Sequence, residues 1–319
     1  MSALELGIPA VDLNDFRNGN ETDKINFIKS LGKAYEDIGF VAVKNHGISD
    51  ELIGELYTQV KAFFHLPEDT KRSYEIEGIA GQRGYVSFGK EHAKGRNTGD
   101  LKEFWHFGQY VDDGDSIQKE YPANVTVEEL PKFNVVGKQA YQALENTGKD
   151  ILRALAVFLE FDENYFDDKI HNGNSILRPI HYPPIEREPK DAVRAGEHED
   201  INLITLLIGA SADGLQVLNK NNEWVSVTAL KEHIIVNVGD MLQRLTNNKL
   251  RSTTHRVVNP PRNQWHTSRF SIPFFLHPRS EMRLDCMESC IDQDHPKQYS
   301  DISAGEYLEQ RLKEIGLKK

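Results

Sequence analysis

Two periodicities divide the chain. In its first half apolar residues recur three and four positions apart. Ile25, Ile28, Leu31 and Tyr35 share one helical face over residues 23–37, and Leu144, Ile151, Leu152, Leu155 and Phe158 form a longer stripe over residues 127–161. Ser49, whose hydroxyl can accept from the first N–H groups of a helix, announces another helix over residues 50–64, and Pro67 fits the first turn of a short one ending near Ser73. Two extended segments interrupt this half, at residues 8–13 and at residues 39–43, the second closed by the turn Asn45-His46-Gly47. Residues 77–99, rich in Gly and charge, read as a loop that could lie over a site.

From Ser175 onward the pattern changes. Short β-rich runs separated by Gly, Asn, Asp and Pro predict eight strands: residues 176–182, 201–208, 215–218, 224–227, 233–238, 253–258, 270–276 and 282–286. Strands so spaced point to a double-sheet jelly roll or a barrel rather than a parallel α/β sheet. A last helix, over residues 303–315, ends the pattern. With no repeat and no linker, the expected fold is α+β with a mainly β core, a jelly roll wrapped by N-terminal and C-terminal helices.

Candidate chemistry concentrates in the second half. In Gly196-Glu197-His198-Glu199-Asp200, His198 and Asp200 stand two apart, so on an extended chain an imidazole and a carboxylate point the same way. A third ligand from a distant strand would complete a two-His, one-carboxylate face and leave the opposite face of an octahedron open, the arrangement of non-heme Fe(II) oxygenases. His255, in Thr254-His255-Arg256-Val257, is one candidate; His233, His266 and His277 are others. Fourteen residues after His255, Arg269 and Ser271 form another i, i+2 pair, a cation and a hydroxyl suited to holding a carboxylate. Tyr182, before Pro183-Pro184, can add a phenol.

Composition narrows the classes. A chain of 319 residues buries a core that needs no metal to hold it, so a metal here would be chemical. The net charge of −11, with no run of Lys or Arg, argues against nucleic-acid binding. The two cysteines, Cys286 and Cys290, are too few for a disulfide framework and read as buried thiols. There is no stretch of 18 apolar residues and no cationic-then-apolar leader in residues 1–13, so a soluble cytoplasmic enzyme is expected, without membrane partners and with the oligomeric state left open.

Together, His198-x-Asp200, the distant His255-Arg256-Val257, Arg269-x-Ser271 and Tyr182-Pro183-Pro184 resemble the Fe(II)/2-oxoglutarate-dependent oxygenase superfamily, in its isopenicillin N synthase-like branch. The segments at residues 8–13 and 39–48 resemble that family's N-terminal region, and Ala304-Gly305-Glu306-Tyr307-Leu308 its closing helix, so the likeness spans nearly the whole chain. It implies one unit: an N-terminal region over residues 1–125, a jelly-roll (double-stranded β-helix) catalytic core over residues 175–280 and a closing helix over residues 300–317. It also implies iron held by His198, Asp200 and His255, the distal carboxylate of 2-oxoglutarate on Arg269 and Ser271, and Tyr182 near the cosubstrate's other end. The implied reaction consumes O2 and 2-oxoglutarate, releases succinate and CO2, and oxidises a small molecule, with hydroxylation the favoured outcome. Many relatives have Asn where this chain has Ile180. That departure keeps two alternatives in view: a cosubstrate-free oxidase like isopenicillin N synthase, and a metal-binding jelly roll without turnover. For the substrate, likeness in the region around Gly84-Tyr85-Val86 points to Arg83, Tyr85, Phe88, Lys90 and His92, with Phe275 near the Arg269 strand.

Overall fold

The computed structural model describes residues 8–92, 98–111, 113–209, 213–228, 230 and 232–314. The chain opens with β1 (Ala10–Asp12), α1 (Leu13–Arg17), α2 (Glu21–Asp37), β2 (Phe40–Lys44), α3 (Asp50–Phe64) and α4 (Glu68–Arg72). The hairpin β3 (Gly84–Val86) and β4 (Glu103–Gly108) leads to the long helix α5 (Pro131–Phe158) and the short α6 (Asp167–Ile170). The strands β5 (Ile176–Leu177), β6 (Ile180–Tyr182), β7 (Ala195–His198), β8 (Ile204–Ile208), β9 (Leu215–Leu218), β10 (Trp224–Ser226) and β11 (His233–Val238) follow. Helix α7 (Asp240–Leu245), β12 (His255–Val257), β13 (Arg269–Leu276) and α8 (Ala304–Glu314) complete the described chain.

The strands form two sheets. The larger runs β1-β2-β11-β8-β13-β5-β4-β3, with β6 paired to β13 and β4; the smaller runs β10-β9-β12-β7. Alternation along the larger sheet sends Val41, Val43, Leu206, Val236, Ile272 and Phe274 into the core shared with the helices. The residues between them, Phe40, Ala42 and Ile235, join Leu215 and Val217 of the smaller sheet in a second cluster. On β13 the same alternation turns Arg269, Ser271, Pro273 and Phe275 toward a cavity. Because both faces of this sheet are buried, its strands read as nearly continuous apolar runs, and each polar side chain on the inner face stands out. Helix α5 packs closely against this sheet where it lacks side chains: a Cβ on Gly148 would meet Leu276 at 2.4 Å, and one on Gly137 the Phe107 ring at 2.3 Å.

The expected helices agree with α2, α3, α4, α5 and α8 to within a few residues at their ends. Three readings need correction. The segment expected to be loop contains β3, a three-residue strand too short to show a period, entered through Gly84 at φ +74°. The adjoining β4 escaped notice because the buried strand carries Glu103 and His106, which read as surface residues. Residues 282–286 are not a strand. Met282, Leu284 and Cys286 are buried at alternate positions, but a single bridge from Arg283 to Ser303 gives no ladder to propagate. Cys286 and Cys290 are buried free thiols.

Candidate active site

Strand register brings the two imidazoles together. β12 runs antiparallel to β7 with His255 directly opposite His198, and their ring centroids lie 4.3 Å apart. Asp200 comes from the turn just past the end of β7 rather than from the strand itself. Its backbone carbonyl accepts from the Asp240 N–H at the start of α7, which anchors that turn. The carboxylate Oδ1 lies 3.8 Å from His198 Nε2 and 3.6 Å from His255 Nε2, and the three groups can present ligand atoms all within 4.8 Å of one another.

Every other polar atom of this trio is committed elsewhere. His198 Nδ1 is 2.8 Å from the Gly196 carbonyl and His255 Nδ1 is 3.1 Å from the Thr253 carbonyl, so each Nδ1 carries the proton and each Nε2 lone pair is left for the centre. Asp200 Oδ2 accepts from Thr205 Oγ1 at 2.7 Å and Asn237 Nδ2 at 2.8 Å, leaving Oδ1. Thr205 and Asn237 are cross-strand partners on β8 and β11, and Asn202 donates in turn to Thr205 at 2.8 Å. Burial, with His255 beside it, lowers the His198 imidazole to about 4. Burial alone would raise Asp200, but the two imidazoles and the bonds from Asn237 and Thr205 hold it below the usual carboxylate value. Two neutral imidazoles and an ionised carboxylate, oriented by fixed outer partners, are the donor set a hard-to-borderline divalent metal accepts.

The trio lines a cavity of about 470 Å³ between the sheets. Arg269 and Ser271 lie in its wall, 1% and 4% exposed, and β6 pairs with this stretch so that Tyr182 faces Arg269 and Ile180 faces Ser271. The Arg269 guanidinium sits 5.0 Å from the Tyr182 ring centroid. A second buried guanidinium, Arg194, lies 5.9 Å from the same ring and donates to the Thr267 carbonyl at 2.9 Å. Burial and the neighbouring Arg269 lower Arg194 to about 10. Of the two, Arg269 lines this cavity, and it gives that part of the wall a buried cation suited to an anion.

Among the residues expected on the substrate side, His92 and Phe275 line the cavity. The other four lie elsewhere. Arg83 is fully buried against Gly108, among Tyr110, Tyr121 and Tyr141. Tyr85 points to the helix-side core and donates to Glu103. Phe88 is 49% exposed, and Lys90 pairs with Glu75 at 3.0 Å on the surface. Of the other histidines considered as ligands, His277 lines the same cavity, His266 is exposed, and His233 lies at the start of β11 opposite Lys44. Sequence reasoning missed Thr205, Asn237 and Arg194. The signal for the first two was available: each is a lone polar residue inside an apolar strand run, and a buried polar side chain needs a partner.

A two-His, one-carboxylate centre inside a jelly roll defines the class of mononuclear non-heme iron enzymes. Comparison with known proteins agrees and goes further. Residues 8–129 match the family model described as the non-haem dioxygenase in morphine synthesis N-terminal domain, and residues 173–278 match the 2OG-Fe(II) oxygenase superfamily. The chain is 30% identical to the 2-oxoglutarate-Fe(II) type oxidoreductase ppzD of Metarhizium rileyi, over 97% of this chain and 91% of that one. Among solved structures it is similar to a Caulobacter crescentus protein described under the 2OG-Fe(II) oxygenase family, with 38% identity, TM-score 0.86 and coverage of 97% and 99%. It is also similar to a full-length Neurospora crassa protein solved in complex with alpha-KG and thymine, with 30% identity, TM-score 0.83 and coverage of 96% of each chain. The chain belongs to the 2-oxoglutarate–Fe(II) oxygenase superfamily, and it is a non-heme Fe(II)- and 2-oxoglutarate-dependent dioxygenase. Among the described residues no helix is long and apolar enough to cross a membrane.

Proposed function

We propose that His198, Asp200 and His255 hold Fe(II), that Arg269 and Ser271 take the distal carboxylate of 2-oxoglutarate beside Tyr182, and that the enzyme hydroxylates a small molecule. The observation that carries this reading is the division of labour around the trio. Its Nδ1 and Oδ2 atoms are tied to the protein, while two Nε2 atoms and Oδ1 converge in the same cavity that holds the buried Arg269. When bound, iron and 2-oxoglutarate supply the oxidising power through O2, with succinate and CO2 as coproducts.

The chain's own residues do the rest. Thr205 and Asn237 occupy Asp200 Oδ2 and keep the carboxylate from rotating, so Oδ1 is the oxygen that would be offered to the metal. Arg269 offers a rigid fork to a carboxylate, and the Tyr182 ring beneath it restricts the fork's direction. Ile180, opposite Ser271, adds an apolar wall that keeps water away from the cosubstrate. The solved neighbour that holds thymine beside alpha-KG supports a small-molecule substrate. His198→Ala should reduce 2-oxoglutarate-dependent succinate release by at least about a thousandfold, since it removes a ligand that the metal cannot replace. Retained turnover in that variant would sink the ligand assignment.

A further inference from the structure

We propose that the substrate is a small, net-neutral cyclic amide or imide, held edge-on through adjacent N–H and C=O groups by Glu91 and Arg178. This rests on the 2-oxoglutarate-dependent reading of the same cavity and names what its other end recognises.

Away from the metal centre the cavity wall carries an ionic cluster. Lys102 Nζ lies 2.7 Å from Glu91 Oε1 and 2.9 Å from Asp100 Oδ2, and Arg178 Nη1 lies 3.2 Å from Glu91 Oε1. Asp100 Oδ1 also accepts from the Gly196 N–H, fastening the cluster to β7 two residues before His198. Among the described residues two cations face two anions. A substrate with net charge of either sign would leave an uncompensated charge in a site shielded from water, which burial penalises.

Within this balanced cluster one atom is left over. Glu91 is 8% exposed, both cations meet its Oε1, and its Oε2 is buried with no hydrogen-bond partner among the described residues. An ionised carboxylate only accepts, so the missing partner is a donor. Beside it, Arg178 is fixed in direction. Its Nε donates to His106 Nε2 at 2.5 Å, and its guanidinium lies 4.4 Å from the Phe104 ring and 5.0 Å from the Phe275 ring. Arg178 keeps 16% of its side chain accessible, and a guanidinium only donates. An acceptor next to a donor is matched by a donor next to an acceptor, which is the N–H/C=O edge of a lactam or imide ring.

Other ligand classes fit less well. A carboxylate brings no donor, an amine brings no acceptor, and an amino-acid zwitterion adds two full charges to a cluster already compensated. Ile176 and Phe275 give the ring an apolar wall, and Asn174, also 8% exposed with a partnerless Oδ1, offers a second polar position. Glu91, Lys102 and Arg178 line the same cavity as His198, Asp200 and His255, so the cluster and the metal centre border one space.

The test uses the anaerobic Fe(II)- and 2-oxoglutarate-loaded enzyme and calorimetric titration with uracil, 2-piperidone and their N-methylated forms, beside L-proline and benzoate. The expected result is that a ring with a free N–H binds at least tenfold more tightly than its N-methyl counterpart. In air it should also raise succinate formation at least tenfold. Glu91→Gln should weaken the free N–H ring about tenfold and leave the N-methyl ring unchanged; if that variant does not fold, the N-methyl comparison in the native enzyme decides alone. Equal affinity for the methylated and unmethylated rings, preference for proline or benzoate, or no binding by any ring overturns the proposal. A normal 2-oxoglutarate charge-transfer band in the same preparation assigns such a failure to this proposal alone, whereas loss of the band assigns it to the cosubstrate reading beneath.

Discussion

At the metal end of the cavity three candidate ligands come from two strand ends and one turn, and each is aimed by a hydrogen bond to backbone or to a strand neighbour. At the other end Glu91, Asp100, Lys102 and Arg178 converge and neutralise one another as ions, with a neutral His106 accepting from Arg178. The first end is organised by β-register, which is short in range and tolerant of the surrounding sequence. The second is organised by charge compensation, in which every member depends on the others. Removing a member should therefore have different consequences at the two ends: lost metal affinity at one, lost stability at the other.

The sharpest way to break this contrast is Lys102→Met. The lysine is 6% exposed and compensates Glu91 and Asp100, so its loss leaves the buried Asp100 without its cation and Glu91 with Arg178 alone. Breaking such a pair costs about 3–5 kcal/mol, and thermal unfolding of a chain this long should move down by roughly 4–8 °C. A shift of a degree or two would mean that the cluster is not a stabilising unit. At the metal end Thr205→Val and Asn237→Ala should each weaken Fe(II) binding by about 10–100-fold, read by titration, with a much smaller change in melting temperature. Unchanged iron affinity in both would remove Thr205 and Asn237 from any role in orienting Asp200.

A smaller effect checks that buried charge matters far from the cavity too. Glu145 on α5 is raised to about 7 by burial, against the opposing influence of Gln109 and Lys149. Its folded value lies above its unfolded one, so the folded chain holds the proton more tightly. The stabilisation is complete below the ordinary value of 4.5 and is lost as pH rises through about 7. Between about pH 5 and pH 8 the wild type should lose about 2–4 °C of melting temperature relative to Glu145→Gln. Parallel curves for the two proteins would contradict the shift.

The same contrast explains what could be read from the sequence. His198 and Asp200 are neighbours in sequence, and Arg269 and Ser271 share a strand face, so an alternating pattern is enough to pair each set. The jelly roll was legible for a similar reason, since its short strands and turns are local signals. The ionic cluster was not legible. Arg178, His106 and Glu91 meet only after the β3–β4 hairpin, whose first strand falls in the stretch read as loop, packs beside β5 and β6. Arg83 misled for the converse reason. It lies between Gln82, a cavity residue, and the hairpin, but alternation sends its guanidinium to the tyrosines on the opposite face. Alternation along a strand predicts Asp200 beside His198, and its carboxylate lies 3.8 Å away, but it is delivered by a turn and held from the other sheet.

The central claim is that the positive end of the cavity, built on Arg269, receives the cosubstrate that the trio's metal chelates. An anaerobic titration of the Fe(II)-loaded protein with 2-oxoglutarate tests it most directly, by the visible charge-transfer band that 2-oxo acid chelation produces. A saturable band is predicted, whose half-saturation rises at least about tenfold in Arg269→Ala, the cost of losing a bidentate charge-assisted pair. A band that saturates identically in the variant, or no band in a protein shown to bind iron, would contradict it.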